Sequence, residues 1–145
     1  MGRNKYPEET VAKILDAALE LFCAQGYEGT SIQDIVDRLD GMTKGAVYHH
    51  FKSKEEIFNA AFDRAMTPIV EHRRSMLGVG NMTGAQKLKR LYAPESVVPQ
   101  IELWARMRPA ADPVKSSRLL AMQYQGSFDE SADGCLLPVI EEGIA

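Results

Sequence analysis

The residues best equipped for chemistry lie between Gly41 and Lys54. This stretch holds Lys44, Lys52 and Lys54, the adjacent His49 and His50, a tyrosine at position 48 and no acidic residue. Thr43 and Lys44 read as the start of a short helix, where unpaired N–H groups and the positive end of the helix dipole favour phosphate. Gly45 and Ala46 have almost no side chain there, so a polymer backbone can come close. Tyr48 and His49, one turn later, can donate to phosphate oxygens, and Lys54 can reach the same strand. The chemistry is recognition of a polyanion by a helix entering a groove. On spacing alone, a solvated helical hairpin with no partner fits equally well.

Such a probe needs elements behind it. Apolar residues at Val11, Ile14, Leu15, Ala18, Leu21 and Phe22 repeat every 3.6 residues and predict an amphipathic helix over 8–25. Glu8 and Glu9 suit its first turn. Gly26 is a natural stop in the left-handed conformation, with Tyr27 folding back as the apolar partner. A second helix starts at Thr30 or Ser31, with Gln33 or Asp34 as the reciprocal cap, and buries Ile32, Ile35, Val36 and Leu39. Asp40-Gly41 marks a turn. Thr43 caps the third helix, with Met42 and Val47 spaced as a hydrophobic staple, and Ser53 with Glu56 forms a capping box for the fourth. Ile57, Phe58, Ala61, Phe62, Ala65, Met66, Ile69 and Val70 make the fourth helix long, with Pro68 kinking it or costing it a hydrogen bond. A loop over 78–84 and helices over 85–92, 95–108 and 114–128 follow, with a turn or continuation over 136–144. No strand pattern is found, so the fold class is all-α.

Composition narrows the function classes. A hydrophobic fraction of 45% supports a packed core rather than disorder. No apolar run reaches the roughly 18 residues that span a bilayer, and the N-terminus lacks a secretory core, so a cytoplasmic protein without a membrane partner is expected. Cys23 and Cys135 are too isolated for a zinc site or a disulfide framework. No phosphate loop, nucleophile motif or metal-ligand spacing occurs. His49 and His50 are neighbours expected to point to different faces, and Glu55-Glu56 and Glu141-Glu142 are adjacent pairs rather than catalytic dyads. An enzyme, a cofactor and a metal are therefore not expected. The net charge of −3 argues against a nucleic-acid partner, but the basic stripe is local, and screening confines its effect to about 8–10 Å.

The run ILDAALELFCAQGYEGTSIQDIVDRL, followed by GMTKGAVYHHFKSKEEIF, resembles the N-terminal DNA-binding domain of TetR-family transcriptional regulators. The shared pattern is a helix ending in an aromatic and a Gly-aromatic pair, a Thr-Ser-x-x-Asp-Ile helix, and a Thr-Lys-Gly-x-Val-Tyr-x-His-Phe helix followed by Lys-x-Lys-Glu. The resemblance implies a three-helix domain with a helix-turn-helix over residues 1–52 and a helical ligand-binding and dimerising domain over 53–145, linked by the long fourth helix. It implies that Thr43, Lys44, Gly45, Ala46, Tyr48 and His49 line double-stranded DNA. Phosphate contacts are implied from Lys54 and from Thr30, Ser31 and Gln33, while His50 faces inward or sideways. Arg3 and Lys5 read as a solvated tail. The turn DRLDGMTKG is one residue longer than the common family turn.

The resemblance further implies a homodimer on a palindromic operator and a small-molecule effector of unknown identity. Phe62, Met66, Trp104, Met107, Met122 and Tyr124 are the candidate ligand-lining residues, although aromatic and Met stripes at helical spacing are more often core. His72, Gln100 and Gln123 are polar candidates, with His72 inside EHRRS, a run that reads as a solvated helix end. The chain ends at EEGIA, which the resemblance places at the end of the seventh family helix. The last two helices, which form the dimer interface, are expected to be missing, so the fold reads either as truncated at its C-terminus or as that of a naturally short protein. The reading is a ligand-relieved repressor. The alternative is a non-enzymatic helical protein-interaction module that does not bind DNA.

Overall fold

The computed structural model describes residues 7–77, 82–107 and 139–140. Its helices are α1 Pro7–Gln25, α2 Ile32–Asp37, α3 Lys44–His50, α4 Lys54–Leu77, α5 Gly84–Leu91 and α6 Pro94–Met107. No strand occurs among the described residues, as the sequence pattern requires. The chain divides into two compact units. The first contains α1 to α3 and α4 as far as Arg64, and the second takes α4 from Ala65 together with α5 and most of α6.

In the first unit, α1 buries Ile14, Leu15, Ala18 and Phe22. It stops where Gly26 takes a φ of 83°, and the Gly26 N–H donates to the Phe22 carbonyl at 3.0 Å. Tyr27 turns back so that its ring lies 5.7 Å from that of Phe22. Phe58 completes the cluster, edge-on to both rings at 5.0 and 5.2 Å. Phe22 and Phe58 are almost wholly buried, and each contributes about 1.5–3 kcal/mol by leaving water.

Ser31, not Thr30, caps α2. The Asp34 N–H donates to Ser31 Oγ at 3.1 Å, and the Ser31 N–H donates to the Asp34 carboxylate at 2.7 Å. That N–H foremost, and the Ser31 hydroxyl donating to the same carboxylate oxygen at 2.7 Å, hold the Asp34 carboxyl below its ordinary pKa. Ile32, Ile35 and Val36 are buried, whereas Leu39 is half-buried because α2 has already ended. Gly41 takes a φ of 73°, a conformation that side chains resist, and this reverses the chain between α2 and α3. An exposed ion pair, Arg38 to Glu20 at 2.8 Å, adds little between α1 and α2.

The α4 cap differs in one bond from a standard capping box. The Glu56 N–H donates to Ser53 Oγ at 3.1 Å, but the Glu56 carboxylate accepts from the Lys52 N–H at 2.6 Å, one residue before the expected partner. Ile57, Phe58, Ala61 and Phe62 are buried. Pro68 sits inside α4 without ending it, on an exposed position where water can reach the carbonyl it leaves unpaired.

In the second unit, Thr83 and Gln86 form the capping box of α5. Ser96, near the start of α6, is buried and donates to the Arg90 carbonyl at 3.0 Å. Pro99 lies within α6 without ending it. The helix expected over 114–128 lies outside the described residues. So does the stretch 136–144, apart from residues 139–140.

Candidate nucleic-acid interface

The seven residues of α3 divide cleanly into an inner and an outer side. Val47 is fully buried, and Phe51, the C-cap, is nearly so, its N–H donating to the Val47 carbonyl at 3.0 Å. Thr43, Lys44, Gly45, Tyr48 and His49 are exposed, and Ala46 is half-buried. Thr43 is the N-cap, its Oγ1 accepting from the Ala46 N–H at 3.2 Å. Tyr48 leaves 49% of its surface open, which is high for a tyrosine beside a core. Outside its own helix backbone and chain neighbours, a Cβ built on Gly45 would meet no atom of the described residues closer than Thr43 Oγ1, at 3.9 Å. The fold therefore does not require a glycine there, and the space it leaves opens outward.

The other candidates are placed unequally. Ser31 and Gln33 are exposed at the start of α2. The Gln33 Nε2 is engaged with the Asp37 carboxylate at 2.8 Å. Thr30 corrects the expectation: it is 1% exposed, and its hydroxyl donates to the Gly26 carbonyl at 2.7 Å, so it braces the α1–α2 turn and has no free surface to offer a phosphate.

Lys54 is also turned inward. Its Nζ donates to the Tyr27 carbonyl at 2.7 Å and lies 4.1 Å from the centre of the Tyr27 ring. The sequence pattern did not single out this pair, since 27 residues separate the partners. Burial, with help from Glu55 and Glu28, pushes the Tyr27 hydroxyl up.

His50 is half-buried, as its position on the helix implies. The two imidazoles do not diverge as expected: their centroids are 5.3 Å apart, close to edge-on. No group of three metal-ligating side chains occurs among the described residues. Cys23 is half-buried, and burial raises its thiol pKa.

The ligand-lining candidates Phe62, Met66 and Met107 are each buried. The Trp104 side chain, Met122, Tyr124 and Gln123 lie outside the described residues, as do Arg3 and Lys5. His72 is exposed. EHRRS is not wholly a solvated run, because Arg73 within it is 8% exposed.

A short, capped helix with a basic, unobstructed outer face is thus braced by a second helix across a glycine turn. The pattern of the bacterial regulatory proteins of the tetR family matches residues 14–61, which contain this whole assembly. Residues 14–61 are a TetR-family domain. The chain is 44% identical over 62 residues to the HTH-type transcriptional regulator SrpR of Pseudomonas putida, covering 43% of this chain and 29% of that one. It is 41% identical over 64 residues to the HTH-type transcriptional regulator AcrR of Shigella flexneri, covering 44% and 29%. A third relative, the biofilm operon icaADBC HTH-type negative transcriptional regulator IcaR of Staphylococcus epidermidis, is 32% identical over 59 residues, covering 41% and 31%. The matched TetR-family stretch thus spans about a third of each of these curated relatives. No solved structure matches the chain. No described helix is long and apolar enough to cross a membrane.

Proposed function

We propose that this protein is a DNA-binding transcriptional regulator that acts as a repressor. Residues 1–52 form the DNA-binding domain and residues 53–145 the regulatory domain. The supporting observation is the outer side of α3, where Thr43, Lys44, Gly45, Tyr48 and His49 are exposed together with no carboxylate among them. Ser31 and Gln33 are exposed at the start of α2, where Gln33 Nε2 carries a second N–H beyond the one given to Asp37. The three relatives are all named as transcriptional regulators, one of them negative, and none as an enzyme.

A homodimer would place two copies of α3 in successive major grooves of a palindromic operator, roughly 34 Å apart. An effector bound by the regulatory domain lowers operator affinity if it prefers the DNA-free state, and a few kcal/mol of differential binding is enough. The test is fluorescence anisotropy with duplexes drawn from the neighbourhood of the protein's own coding region, across a salt series. Lys44→Ala and Tyr48→Ala should each weaken binding about tenfold and leave the circular dichroism melt unchanged. Unaltered affinity in both variants would remove α3 as the reading helix.

A further inference from the structure

Arg73 lies in the second unit, on the buried side of α4. Met66, Val70 and Arg73 follow at the 0, 4, 7 spacing of one helix face, and all three are buried. On α6, Ser96, Gln100 and Leu103 share the same spacing, with Ser96 and Leu103 buried. Across these faces Arg73 Nη1 donates to Gln100 Oε1 at 3.1 Å. That neutral oxygen is the guanidinium's hydrogen-bond partner among the described residues, and Arg73 Nε is buried with none. The ion pairs Arg38 with Glu20 and Arg64 with Asp16 lie in the first unit.

A guanidinium does not shed its proton to escape burial. Removing it from water without a counter-charge is expensive, and a half-satisfied fork is the least favourable arrangement. The buried, unpartnered Nε–H and a neighbouring Nη–H together match the two oxygens of a carboxylate. Met66, Val70 and Leu103 supply thioether and aliphatic surface along these faces, and Ser96 and Gln100 the polar groups.

We propose that the second unit binds a small carboxylate with an apolar body, its two oxygens on the Nε edge of Arg73 and its body among the Met66, Val70 and Leu103 side. Under the regulator reading this is the effector class. The binding test involves no DNA, so a failure here and a failure of that reading are separable.

The probe is benzoate, with benzamide as the isosteric neutral control, titrated into the whole chain by calorimetry and by thermal shift. Benzoate should bind saturably and raise the melting temperature with concentration, whereas benzamide should bind at least about tenfold more weakly for want of charge-assisted bonds. Arg73→Met should abolish the benzoate response while melting no lower than the parent, because it removes a buried charge that has no ion-pair partner among the described residues. Arg73→Lys, which keeps the charge but not the fork, should weaken benzoate binding several-fold. Equal binding of benzoate and benzamide, binding of neither, or full retention of benzoate binding in Arg73→Met would overturn the proposal. So would a melting temperature that rises with protein concentration but not with benzoate, which would assign the counter-charge to a second copy of the chain.

Discussion

Replacing Lys54 by methionine separates two roles that are easily confused. Methionine keeps much of the aliphatic stem and removes the charge. In the folded chain the ammonium makes one charge-assisted hydrogen bond, to the Tyr27 carbonyl, and one contact with the Tyr27 ring. A hydrogen bond to a charged group is worth about 1.5–3 kcal/mol and a partly exposed cation–π contact about 0.5–1 kcal/mol. Lys54 is only half-buried, so about 1–2 kcal/mol of folding stability should be lost, visible as a lower urea midpoint at constant slope. Operator affinity should fall as well, because α4 follows α3 after three residues and its first turn helps to seat the probe. The salt dependence discriminates. A lysine that neutralises a phosphate contributes about 0.9 to the slope of log affinity against log salt. A lysine spent on Tyr27 contributes almost nothing, so the lines for parent and variant should run parallel between 50 and 200 mM salt (about the range over which such slopes are read). Tyr27→Leu removes the ring but keeps the carbonyl, and its stability loss should combine less than additively with that of Lys54→Met. A slope reduced by about one unit with an unchanged urea midpoint would refute the strut and return Lys54 to the phosphate backbone.

Two further perturbations address the same unit. Gly45→Leu should fold with an unchanged or higher melting temperature, since leucine is a better helix former than glycine by about 0.5–1 kcal/mol and meets open space, yet it should cost operator affinity at least about tenfold by holding the groove off. Intact binding would mean that Gly45 does not face DNA. The Asp34 carboxyl is held below its ordinary pKa, chiefly by the Ser31 N–H. Its contribution is therefore complete above the unfolded value of about pH 4 and is lost as pH falls through the lower, folded value. The stability gap between the parent and Asp34→Asn should close over that acid window, and a gap that stays constant from neutral pH to pH 2 (roughly the floor of the titration) would contradict the cap.

The first unit was readable because each of its boundaries is chemical. Gly26, Ser31 with Asp34, Gly41, Thr43 and Ser53 are residues whose own side chains, or lack of them, end or begin a helix, and such signals act within four positions along the chain. What escaped was contact across space. Nothing local in the sequence pairs Lys54 with Tyr27, and Thr30 reads as an exposed hydroxyl until its neighbour Ser31 takes the capping role. Arg73 is the instructive case. Glu71, His72, Arg74 and Ser75 are indeed solvated, and charge alone classed their neighbour with them. The signal was its periodicity, because Arg73 continues the stripe of Met66 and Val70 that the apolar residues had already traced.

Helix α3 has seven residues and one buried side chain, Val47. An isolated segment of that length is too short to hold a helix in water. Its shape is on loan from the floor beneath it, and it is returned whenever that floor opens. DNA binding should therefore share the cooperativity of unfolding, and trimming Val47 or Phe51, which are both buried, would silence the outer surface as thoroughly as stripping its donors.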